Sequence, residues 1–140
     1  MTPAQVHLVR RSFQLLEGKS TIAALVFYRR LFEIDPGVRP LFKSDIEAQA
    51  KKLMDMMESL LGLLNRPERL TEELHDMGAR HAGYGVQEHH YASVGEALLD
   101  MLAEVFDEEF TPQLREAWTA LYAATRDGML AGARNAAGQH

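Results

Sequence analysis

Three apolar helical stripes in this chain are each broken once by a side chain with a hydrogen-bonding head: Tyr28, Gln49 and His81. Leu70, Leu74 and Met77 recur at i, i+4 and i+7, and His81 takes the next place on their face, within the run Arg80-His81-Ala82-Gly83-Tyr84-Gly85-Val86. An imidazole turned into a core needs a partner. A metal is one that suits a neutral ring in a dry pocket; a hydrogen-bonded core histidine is the other reading. A lone histidine does not hold a bare ion, so further ligands would have to come from a macrocycle. A phenol and a carboxamide facing the same cavity would then leave an exchangeable position opposite the imidazole. Each such head left unpaired when buried costs about 1 to 3 kcal/mol. Simpler readings exist for each: Tyr28 bonded to a backbone carbonyl, Gln49 reaching solvent near its helix cap, Phe42 as ordinary core.

Other chemistry is sparse. His7 and His75 lie off their stripes, His89 and His90 are expected in a loop, and His140 is terminal. Glu72 and His75 make one Glu-x-x-His spacing, whereas a di-iron bundle needs two. There is no His-Glu-x-x-His, Gly-x-Ser-x-Gly or Gly-x-Gly-x-x-Gly, which argues against a hydrolase or a self-contained oxidoreductase. The chain has no cysteine, so disulfides, thiolate metal sites and covalent haem attachment through C-x-x-C-H are excluded.

The elements that must position these residues read as helices throughout. Thr2-Pro3-Ala4-Gln5 is a capping box with proline at the first helical position, and Val6, Val9, Phe13 and Leu16 form the stripe that follows. Gly18 is the expected stop. A second helix runs from about Ser20 to Asp35-Pro36, with Thr21, Ala24, Leu25, Tyr28, Leu31 and Phe32 as its expected buried face. The segment from Pro36 to Phe42 has room for a short helical turn. Ser44-Asp45-Ile46-Glu47 reads as a second capping box, leading into Ile46, Gln49, Leu53, Met56, Leu60 and Leu64. Pro67 is expected to close that helix and Thr71 to cap the next, which Gly83 and Gly85 break. Tyr91, Val94, Leu98, Met101, Leu102 and Val105 mark a fifth helix, and Thr111-Pro112 starts a sixth carrying Trp118, Tyr122 and Met129. Ala131 to His140 is expected to fray, giving a folded domain over 1–133 and a flexible tail over 134–140.

The chain has 140 residues and a formal net charge of −5, with acidic and basic residues interleaved. That length fits one core, and the interleaving argues against a nucleic-acid footprint or an adsorbed membrane helix. No apolar run is long enough to span a bilayer and no secretory leader is evident, so the cytoplasm is the default address.

Several runs, taken in order, resemble one family. Phe27-Tyr28-Arg29-Arg30-Leu31-Phe32, Pro36 with Phe42 six positions on, Gln49-Ala50-Lys51-Lys52-Leu53, Arg80-His81-x-x-Tyr84-Gly85-Val86 and His90-Tyr91-x-x-Val94-Gly95-Glu96-x-Leu98-Leu99 are similar to bacterial single-domain globins, the haem domain of flavohaemoglobins and neuroglobin-like globins. The resemblance covers nearly the whole chain. It implies an all-α globin fold of six long helices plus a short turn after Pro36, packed around a haem pocket. It implies His81 as the proximal ligand of haem b, Phe42 as the aromatic on the porphyrin, and Tyr28 and Gln49 as the distal pair. Leu53 would press on the open side of the iron, and Met77, Val86, Tyr91 and Val94 would contact the haem. Lys52 would pair with a propionate.

The implied function is tight, reversible binding of dioxygen, nitric oxide or carbon monoxide, with nitric oxide dioxygenation if a separate reductase supplies electrons. The expected assembly is a monomer or weak homodimer. One departure from the family is Ala133, where flavohaemoglobins place a glutamate on the proximal histidine; a backbone carbonyl near Met77 is expected to take over that contact. Two alternatives remain open at this point: a redox or gas sensor in which Tyr28 ligates ferric iron, and a cofactor-free helical interaction protein.

Overall fold

The computed structural model describes residues 1–43 and 45–138. Among the described residues six α-helices follow one another: α1 (Pro3–Glu17), α2 (Ser20–Ile34), α3 (Ile46–Gly62), α4 (Pro67–Gly83), α5 (Glu88–Phe106) and α6 (Pro112–Gly138), with 3-10 turns at Pro36–Leu41 and Asp107–Glu109. Among the described residues there is no strand. No described helix is long and apolar enough to cross a membrane.

Local chemistry sets most of the starts. The Gln5 amide donates to Thr2 Oγ1 at 3.1 Å and the Thr2 amide to Gln5 Oε1 at 3.0 Å, which satisfies two otherwise orphaned donors. At α3 the cap is Asp45, whose Oδ1 accepts from the Ala48 amide at 2.8 Å; Ser44, the cap expected from sequence, lies outside the described residues. Pro67, expected from sequence to close α3, instead opens α4; α3 already ends at Gly62. Its fixed φ and missing N–H suit the first helical position. Thr71 is therefore inside α4, its hydroxyl donating to the Pro67 carbonyl at 2.9 Å. The expected loop at His89 and His90 is the first turn of α5, and residues 131–138, expected to be loose, continue α6.

α4 packs most extensively on α6, and α2 on α5, while α3 rests on α2 and α1 on α6. Trp118 and Ser12 lock the last pair. Trp118 Nε1–H donates to Ser12 Oγ at 2.9 Å, and Ser12 Oγ donates to the Val9 carbonyl at 3.0 Å, so neither buried polar group is stranded. The α4–α6 crossing is close enough to require glycine. A Cβ on Gly78 would lie 1.8 Å from the Met129 carbonyl oxygen, and one on Gly132 would lie 2.1 Å from that of His75.

The core divides into two clusters. The larger joins α1, α2, α3, α5 and the first half of α6, with Phe42, Leu53 and Val94 partly buried against it. The smaller holds Leu60, Leu74, Met77, Tyr91 and Met129, flanked by Met56, Leu70 and Val86. α3 and α4 therefore meet near Leu60 and Leu74, and they are not closely packed along the rest of their lengths.

Two expected faces are rotated. On α2, Ala23, Val26 and Phe27 are buried together with Ala24, Tyr28 and Leu31, whereas Thr21 and Leu25 are exposed and Phe32 is half-buried. On α3 the residues set in the main core are Ala50, Met54, Met57 and Leu61, while Gln49, Leu53 and Met56 are half-buried on a second face.

Candidate functional site

The half-buried face of α3 carries Gln49 and Leu53, the end of α4 carries Met77 and His81, and the other residues singled out from sequence lie on α2, on α5, at the exposed Lys52 of α3 and in the turns at Phe42 and Val86. Tyr28 sits on α2 with its ring buried, 5.2 Å from the Phe42 ring in an edge-on contact and 4.9 Å from Phe27. Its hydroxyl donates to the backbone carbonyl of Gln49 across 3.4 Å. That separation is long for an O–H···O bond, so the proton is weakly engaged. Burial pushes the phenol pKa up to about 12, so Tyr28, already a protonated donor at neutral pH, stays one well into the alkaline range. The Gln49 carboxamide is half-buried one turn before Leu53, on the same face of α3. Lys52 is exposed on that helix.

On α4, His81 Nδ1 lies 2.7 Å from the Met77 carbonyl oxygen. A carbonyl only accepts, so Nδ1 carries the proton and Nε2 keeps its lone pair. The expected partner near Met77 is thus the Met77 carbonyl itself. Met77 is buried in the smaller cluster with Val86 packed against it, and the Val86 amide returns to the His81 carbonyl at 3.0 Å. Gly85 makes this turn with φ at +94°, a conformation that L side chains rarely adopt. A Cβ there would meet Leu41 Cδ2 at 3.7 Å, so the corner after His81 approaches the turn that carries Phe42.

Tyr91 and Val94 stand on α5 between the two clusters, Tyr91 in the smaller and Val94 against the larger. The Tyr122 hydroxyl donates to the Tyr91 carbonyl, and the Tyr122 ring fills the space over Gly95. Burial raises the Tyr122 and Tyr91 pKa values. The structure thus brings Tyr28, Gln49 and Phe42 into one group and His81, Met77 and Val86 into another, and the two groups approach each other at Leu41 and Gly85. A separate surface groove of about 440 Å³ between α5 and α6 has charged walls that pair among themselves, Arg134 with Glu88 at 2.9 Å and Arg126 with Asp127 at 3.0 Å.

Sequence reasoning missed Ser12, Gly78 and His90. Ser12 reads as a polar residue beside the α1 stripe, and a glycine adds no apolar signal. His90 is buried, with its Nδ1 accepting the Gln87 amide at 2.9 Å in a capping arrangement whose Gln87 lies outside the usual Ser/Thr pattern.

The family model described as Globin matches residues 25–129, three quarters of the chain and the segment that holds every residue of both groups. The chain belongs to the globin family. This globin is 25% identical over 125 residues to the flavohemoprotein of Vibrio cholerae, a match that takes in 87% of this chain and 32% of that protein's length. It is 28% identical to the neuroglobin of Danio rerio, covering 95% of this chain and 92% of that one. Among solved structures, an engineered carbene transferase from Rhodothermus marinus, a suggested nitric oxide dioxygenase, superposes with a TM-score of 0.84 at 28% identity, covering 99% of this globin and 96% of that chain. A bacterial globin from Campylobacter jejuni has the same fold, with a TM-score of 0.84 at 19% identity, covering 98% of this globin and 99% of that chain. Membership places this globin among haem proteins that bind diatomic gases.

Proposed function

We propose that this globin holds haem b between α3 and α4, with His81 Nε2 as the protein ligand and Tyr28 and Gln49 as donors to a bound gas, and that dioxygen is its principal ligand. The observation that carries the reading is the 2.7 Å contact of His81 Nδ1 with the Met77 carbonyl. It fixes the tautomer that a metal ligand needs and orients the ring, as an outer partner does in metal sites generally. The donor set fits the group: one neutral imidazole, no thiolate, and partly buried apolar residues at Phe42, Leu53, Val86 and Val94 to cover a flat apolar disc.

When bound, the haem would supply an iron with one exchangeable position for a diatomic ligand. The chain's residues do the rest. Tyr28 is a poorly engaged donor held in an aromatic nest by Phe27 and Phe42, so turning its O–H toward a polarised gas sacrifices only a 3.4 Å contact. Gln49 supplies amide N–H groups from the neighbouring helix. Charge-assisted bonds of this kind favour dioxygen, which takes up negative charge, over carbon monoxide, which takes up less. Leu53 and Phe42 exclude water from that side, and Lys52 is assigned to a propionate.

The Met77 carbonyl is a neutral acceptor and withdraws less proton character from His81 than a carboxylate would, which favours holding dioxygen over peroxidase-like chemistry. Nitric oxide dioxygenation would follow if a partner returns electrons, and a flavin-bearing donor is the class that the flavohemoprotein relative supports. The reading in which Tyr28 ligates ferric iron requires the phenolate, and burial works against it.

The test is the absorption spectrum of the purified protein in its as-isolated, reduced and oxygenated forms, followed by nitric oxide consumption with a supplied reductant. A Soret band that shifts with reduction and with dioxygen supports the reading. A colourless protein that takes up no added haem overturns it.

A further inference from the structure

The corner where α2 ends and α5 begins gathers groups that gas binding does not use. Asp35 closes α2, and His89 and His90 lie in the first turn of α5. One ligand-capable atom from each of Asp35, His89 and His90 lies within 4.8 Å of the other two. The imidazole rings are 4.1 Å apart, centroid to centroid. Ser93 Oγ donates to Asp35 Oδ2 at 2.9 Å, which orients the carboxylate and leaves Oδ1 as its second oxygen. Asp35 is half-buried, His90 buried and His89 exposed, so the cluster has a fixed floor and one movable arm.

The geometry points to a divalent transition-metal site of His2Asp type, with zinc the ion it fits and water completing the shell. Two imidazoles and one carboxylate form the borderline donor set that zinc takes, whereas magnesium and calcium favour oxygen alone. Bonds of about 2.0 to 2.1 Å in a tetrahedral shell place ligand atoms about 3.3 Å apart. Rotation of the exposed His89 side chain supplies most of that closure.

The proton inventory is definite. His90 Nδ1 accepts the Gln87 amide, so in the neutral ring Nε2 carries the hydrogen. A cation on Nδ1 takes the lone pair that the Gln87 amide uses, and one on Nε2 moves the hydrogen to Nδ1; either way the Gln87 amide turns to solvent, which the exposed position of Gln87 allows. Occupancy would tie the end of α2, just before the turn bearing Phe42, to the start of α5.

Zinc chloride titrated into the protein as purified, without an affinity tag, is expected to bind at one equivalent by equilibrium dialysis with elemental analysis, and to raise the melting temperature. His89→Ala, at an exposed position, and Asp35→Asn should each weaken zinc binding at least tenfold and abolish the thermal shift. His7→Gln and His75→Gln should change neither. Zinc binding that survives both His89→Ala and Asp35→Asn, or no binding at one equivalent, overturns the proposal. The Soret band, expected to be the same in all four variants, reports separately on the haem reading.

Discussion

The Nδ1–H of His81 donates to the Met77 carbonyl 2.7 Å away, one turn back on the same helix. That carbonyl is the natural i−4 acceptor for the His81 amide in α4, so the ring borrows a group the helix already orients. The imidazole is thereby held in one tautomer without a second side chain.

Replacing His81 with glycine should remove the proposed haem ligand while leaving the helical fold in place. The Soret band of the purified protein is expected to fall to a small fraction of wild type and to return when imidazole is added. Retention of a full Soret band in His81→Gly would reassign the ligand.

Tyr28→Phe and Gln49→Leu each delete one of the donors proposed for the bound gas. A charge-assisted bond is worth about 1.5 to 3 kcal/mol, and each 1.4 kcal/mol is tenfold, so dioxygen dissociation should quicken by about 10- to 100-fold per variant. Carbon monoxide dissociation should change less. Stopped-flow displacement of each gas measures both.

Gly78→Ala and Gly83→Ala form a matched pair on α4. The new methyl at 78 meets the Met129 carbonyl, whereas at 83 nothing lies within 4 Å. Overpacking of this kind costs about 1 to 3 kcal/mol. Urea denaturation should therefore show a clear loss for Gly78→Ala and little change for Gly83→Ala. Because Gly78 follows Met77, the Gly78→Ala protein should also bind haem less firmly.

Alkaline stability should reflect Tyr28. Burial raises its folded pKa to about 12, above the ordinary phenol value of 10.0. The unfolded phenol loses its proton first, so the contribution is fully present below pH 10 and is lost as pH rises toward 12. In urea melts across that window, wild type should lose stability more steeply than Tyr28→Phe, which has no phenol to ionise.

Where the sequence carried a local chemical signal, it located elements well. The Thr2–Gln5 capping box and the His81 stripe are both found where expected. Signals with two meanings misled. A proline both ends and begins helices, and Pro67 begins one. Periodicity gives the angular spacing of a face but not its direction when a helix is covered on more than one side. α2 packs on both α5 and α3, and so Val26 and Phe27 are buried while Leu25 is 49% exposed. The alanines after Ala131 resemble a tail by composition, yet alanine is the strongest helix former and Gly132 sits against the His75 backbone. The pairing of Tyr28 with the Gln49 backbone depends on how α2 meets α3, which no single helix encodes.

The Trp118–Ser12 hydrogen bond joins partners 106 positions apart. During synthesis the first helix therefore leaves the ribosome long before its indole counterpart exists. Val9, Phe13 and Leu16 must wait with one flank uncovered until α6 emerges. A nascent chain halted before Trp118 should be a good client for chaperones, and release from them should follow the emergence of α6.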